Sequence, residues 1–136
     1  MALMIVGVQP PLLASQERWR KEVELADKVK VAASTVVRGD MARSLERLIN
    51  RKRRRIAPKE LVDKLIDLMR DENLQVRFWV ALALGDLGPQ ATPAIPALEK
   101  ARDEDEALLK KIGGRSGIWV IDAVDVALKK IRGEKK

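Results

Sequence analysis

Cysteine, histidine and tyrosine are absent from the 136 residues, and aromatic side chains make up only 3% of them. Without thiolate or imidazole the chain has no usual zinc ligands, no Cys nucleophile, no Ser-His-Asp triad and no disulfide. Long hydrophobic runs are missing too. The opening segment Met1 to Val8 is apolar, but it lacks a basic flank, breaks at Pro10-Pro11 and is too short to span a bilayer. A cytoplasmic location is the expectation, with an atypical N-terminal signal as the alternative. Few aromatics beside 46% hydrophobic and 35% charged residues favour packed helices over a sheet sandwich.

Charge is uneven. Residues 1–57 hold 13 Lys and Arg against 6 Asp and Glu, and the remainder is balanced, so the whole net charge of +7 sits in the first part. Such a half attracts an acidic partner.

The apolar spacing predicts six helices in three antiparallel hairpins, near residues 15–56, 58–88 and 93–132. An apolar tail (1–14) and a basic tail (133–136) flank this single domain. In the first hairpin, Ser15 caps a helix running to about Val37 with a stripe of Trp19, Val23, Ala26, Ala33 and Val37, broadened by Val29, Val31 and Val36. Gly39 ends it and Asp40 caps the next. That second helix, Met41 to Ile56, buries Met41, Leu45, Leu48, Ile49 and Ile56, with Lys52 snorkelling outward. Its other side carries Arg43, Arg47, Arg51 and Arg54 at i, i+4, i+8 and i+11.

Leu61, Val62, Leu65, Ile66, Leu68 and Met69 form one arc of a half-wet helix starting after Pro58. An acidic turn, Asp71 to Asn73, leads into a helix that reads as apolar on nearly every side, Val76 to Leu87, stopped by Gly88. Pro89, Pro93 and Pro96 rigidify the next link. The third hairpin has a longer first helix, with Leu98, Ala101, Leu108, Leu109 and Ile112, and an acidic patch at Asp103 to Glu106 that reads as a solvated turn. A flexible connector, Gly113 to Gly117, lacks the spacing of a phosphate loop. The last helix packs Val120, Ile121, Val124, Ala127, Leu128 and Ile131, and is wet on one side as a terminal unit must be.

Asp71-Glu72-Asn73, Val76-Arg77, Leu84-Gly85-Asp86-Leu87-Gly88 and Ala94-Ile95-Pro96-Ala97-Leu98 together resemble the HEAT-like repeat of the phycobilin-lyase type, over about one repeat from Leu61 to Leu98. The resemblance implies an all-α, right-handed α-solenoid used mainly for protein recognition. It also implies that Asp71 and Arg77 pair, tying the turn to the following helix. It carries over no catalytic position.

Three function classes remain. The leading one is a non-enzymatic scaffold or adaptor, free of cofactor and metal, that docks an acidic protein surface through Arg43, Arg47, Arg51 and Arg54. Those four residues also suit a row of phosphates, making a nucleic-acid-binding module the first alternative, disfavoured by the lack of aromatics near the stripe. A phycobilin-lyase-like enzyme or accessory subunit is the second. Against the first two stands the simpler view that the stripe is a solvated helix face. Trp79 and Trp119 are of a type enriched at interface hot spots, but both are expected in the core. Asn50 to Arg55 has the composition of a nuclear localisation signal, a weakly specific pattern.

Overall fold

The computed structural model describes residues 16–113 and 118–133, and among these every regular element is helical. The helices are α1 (Arg20–Val31), α2 (Thr35–Arg51), α3 (Lys59–Leu68), α4 (Leu74–Leu87), α5 (Ile95–Ile112) and α6 (Ile118–Ile131), with a 3-10 segment, Gly88–Ala94, between α4 and α5. Helices α2, α4 and α6 pack side by side as an inner layer. Helices α1, α3 and α5 cover its back, each against its hairpin partner. The arrangement is an α-solenoid of three hairpins. Ser15, the tails and most of the Gly113 to Gly117 connector lie outside the described residues.

The core sits between the layers. Leu61, Leu65, Val76, Val80, Leu84, Leu98, Val120 and Val124 are fully buried there. Helix α3 buries the arc expected of it, with Ile66 half-buried, and all six apolar residues expected to pack from α6 are buried.

The first hairpin turns earlier than its sequence suggests. Ala32 is extended (φ −66°, ψ 133°), and α2 starts at Thr35 with the Ser34 hydroxyl accepting from the Val37 N–H at 3.4 Å. A side-chain cap and an extended residue outweigh a continuing apolar pattern. As a result Ala33, Val36 and Val37 are exposed, and so is Val31 in the last turn of α1. Gly39 is no stop signal. It lies inside α2, buried against α4, where a Cβ would overlap the Gln75 side chain. The same close-approach role falls to Gly85, whose Cβ would meet the Ala127 Cα at 3.0 Å, letting α4 and α6 draw together.

At its far end α2 stops at Arg51, and Ile56 is 78% exposed instead of buried. Its carbonyl accepts from the Trp19 indole at 2.9 Å. Lys52, expected to reach outward, turns inward: its ammonium is 3.0 Å from the fully buried Glu22 carboxylate and 5.5 Å from the Trp19 ring centroid.

The expected Asp71–Arg77 pair does not form. Asp71 binds Arg38 and accepts from the Asn73 N–H at 2.8 Å, while Arg77 pairs with Asp105 at 3.2 Å. Arg38 and Arg77 are the fourth residues of α2 and α4, each following a valine and a side-chain N-cap, Ser34 or Asn73. Each therefore takes its acid from the following hairpin, and the pairs knit repeats together. Asn73 adds to the first joint by donating to the Thr35 carbonyl at 2.8 Å. The patch Asp103 to Glu106 is not a solvated turn. It lies within α5, with Asp105 buried.

Candidate functional site on the inner layer

Helix α4 is not dry on all sides. Gln75, Trp79 and Leu82, spaced i, i+4 and i+7, form a strip along it that stays at least partly open to solvent. Flanking helices widen this strip into a face. On the α6 side Phe78 meets Trp119 edge-on with ring centroids 5.0 Å apart, and Phe78 also meets Trp79 at 4.9 Å. On the α2 side the Arg43 guanidinium lies over the Trp79 ring at 5.6 Å. Three of the chain's four aromatic side chains thus gather at one end of the open face. Trp119 is 40% exposed and Trp79 half-buried, so neither is the core residue expected. A helix read alone gives no hint that its aromatics fall on the side its neighbours leave uncovered.

Arg43, Arg47 and Arg51 are exposed along α2, within one wet face. Arg54 is exposed as well, but it follows the end of the helix and does not continue the register. The stripe is therefore three arginines on a helix and one in the turn beyond it.

Further along, Glu46 of α2 and Asp86 of α4 form a carboxyl pair that sequence reasoning missed. The Asp86 side chain is 6% exposed, and Lys130 of α6 approaches it at 3.8 Å. Burial, then the hydrogen bond to Asp86 and that residue's charge, raise the Glu46 carboxyl to about 7; Lys130 and Arg47 pull the other way. Near neutral pH the Glu46 carboxyl therefore still holds a proton part of the time, and it donates that proton to Asp86. A signal existed: Asp86 is the only acid in α4 and lies among apolar residues in its second half, where a buried carboxylate needs a donor.

A pH effect follows. Between about 4.5, where an ordinary glutamate ionises, and about 7, the folded protein holds a proton that the unfolded chain has lost. Stability from this site is present below that window and is lost as pH rises through it. The full shift corresponds to about 3 kcal/mol, reduced to about 1–2 kcal/mol because Glu46 is partly solvated. Glu46→Gln keeps the donor and removes the titration. Urea melts from pH 5 to pH 8 are expected to show the variant gaining on the parent protein, with the difference levelling off above pH 7.

A family model for HEAT repeats matches residues 24–112, more than half of the chain. The chain belongs to the HEAT-repeat family. Its described helices supply what that family is built from, paired helices stacked in register, and HEAT repeats generally serve as scaffolds for protein interaction. The match is to HEAT repeats at large and does not single out the phycobilin-lyase type. No curated protein and no solved structure matches this HEAT-repeat chain. Among its described residues, no helix is long and apolar enough to cross a membrane, and no three acidic side chains converge as a metal site would need.

Proposed function

We propose that this HEAT-repeat protein is a non-enzymatic adaptor whose inner layer docks an acidic protein surface. The observation that carries this reading is the juxtaposition of exposed arginines on α2 with the Phe78–Trp79–Trp119 cluster. Tryptophan and arginine are the side chains that most often dominate interface energetics. Here Arg43 is held by stacking on Trp79, which lowers the entropy lost when an acid binds it. Arg47, Arg51 and Arg54 add long-range attraction and a faster encounter. The partner that fits carries carboxylates beside an apolar anchor.

Nucleic acid is the second reading, favoured by one observation: an aromatic residue does lie beside the stripe, since Arg43 and Trp79 touch. That ring face is already covered by the guanidinium, which makes it a poorer platform for a base.

The test is recovery from host lysate with the purified protein, with and without nuclease, beside a variant in which Arg43, Arg47, Arg51 and Arg54 are changed to Glu. A protein retained after nuclease and lost with the variant is the expected result. Recovery that nuclease abolishes moves the assignment to nucleic acid. Equal recovery by variant and parent makes the stripe a solvated face.

A further inference from the structure

The outer layer is not uniform. Helices α1 and α3 are bridged directly by Lys30–Asp67 at 2.8 Å and by Lys64–Asp27. Between α3 and α5 the 3-10 segment Gly88–Ala94 intervenes, packing on both helices and on the inner layer behind them. Pro89 and Pro93 within it, and Pro96 just after, stiffen this wedge. The two outer helices are held apart, and a cleft of about 500 Å³ remains between them.

The cleft has a defined chemistry. Ile66 and Met69 of α3 and Pro96 and Ala97 of α5 give it apolar walls. Arg77, reaching outward from α4, lies at its base, with Arg70 and Lys100 exposed at the rim and Glu104 beside Lys100 at 3.8 Å. A guanidinium has five N–H donors. Among the described residues Arg77 makes one polar side-chain contact, the 3.2 Å ion pair with Asp105, and its buried Nε–H has no acceptor. Burial also pushes the Asp105 carboxyl above its ordinary value, against the pull of Arg77. The arginine is thus under-used by its own fold, in a cleft whose size, apolar walls and converging charged groups suit a small charged ligand.

We infer that the α3–α5 cleft binds a small apolar carboxylate, its hydrocarbon against Ile66, Met69, Pro96 and Ala97 and its anion received by Arg77 with Arg70 or Lys100. This site is on the opposite layer from the proposed docking face and does not depend on it. A free acid and the last residue of a peptide present the same group, so both are tested.

The experiment is a nuclear magnetic resonance titration of the full chain with 4-phenylbutyrate, with its uncharged amide, and with N-acetyl-glycyl-phenylalanine. The Arg77 Nε–H and the backbone amides of Ile66, Ala97 and Ala101 are followed. Saturable low-millimolar shifts at all four positions are expected with a carboxylate, and binding at least about tenfold weaker with the amide, as loss of a charge-assisted bond requires. Response to phenylbutyrate alone assigns a free acid, and response to the dipeptide alone a chain terminus. Removing Arg77 would strand Asp105, so the companion variant is Ala97→Phe, which fills the cleft and leaves the pair intact. It is expected to lose binding at an unchanged melting midpoint. Equal affinity for acid and amide, no shift at the four followed positions, or undiminished binding by Ala97→Phe would each overturn the assignment.

Discussion

Lys52→Met is expected to cost about 3–5 kcal/mol, the effect of leaving a buried charge without its partner. Glu22 is 0% exposed, and among the described residues Lys52 is the cation placed on it, at 3.0 Å and 3.2 Å from its two oxygens. The ammonium also donates to the Arg18 carbonyl and lies over Trp19, whose indole holds the Ile56 carbonyl. One side chain therefore joins the start of α1 to the end of α2. Methionine retains the length of the stem and deletes the charge, so the loss reads the ion pair more than the packing. Changing Glu22 to Leu in the same chain is expected to restore most of the stability, since a buried pair is replaceable by apolar residues of similar size. Urea unfolding with unchanged slope measures both. A loss below about 1 kcal/mol would mean that water, not Lys52, satisfies Glu22.

The second large effect belongs to Arg77. Arg77→Met is expected to cost about 3 kcal/mol because Asp105, 8% exposed, then sits in the core without a counter-charge. Which acid it serves is separable by double-mutant cycles. Arg77→Met and Asp105→Asn share an interaction and are expected to couple by about 1 kcal/mol or more. Arg77→Met and Asp71→Asn are expected to add, since Asp71 belongs to Arg38. The opposite pattern would restore the pairing inferred from the sequence, in which Asp71 serves its own hairpin.

That reversal illustrates what a linear reading reaches. The buried arcs of α3 and α6 were legible because amphipathic spacing is local: a helix with one wet and one dry face announces both. Helix count and the greater length of α5 followed from the same logic. Pairings between repeats were not legible, because they depend on how far one hairpin is displaced against the next. A clue was present in Val37-Arg38 and Val76-Arg77, which recur at equivalent places in α2 and α4, while α6 has Ile121 at that place and no repeat beyond it within the described chain.

The α1–α2 turn was hidden for a related reason. Ala33, Val36 and Val37 extend an apolar pattern, yet they lie at the open edge of the first hairpin, where no neighbour covers them. The aromatic cluster was misread by the same blindness to neighbours. The apolar composition of helix α4 predicts burial all round, whereas α2 and α6 flank it and leave its front open. The arginine stripe was read correctly as exposed from Arg43 to Arg51 and lost its register only at Arg54, where the helix had already ended.

The adaptor account stands on the inner layer being the face that meets a partner, and site-specific photo-crosslinking tests this most directly. A benzoylphenylalanine replaces Leu82 on the inner face in one preparation and Asp63, exposed on the outer helix α3, in another. The account predicts that the acidic protein recovered from lysate is captured through position 82 and not through position 63. Capture through position 63 alone, or equally through both, would contradict it.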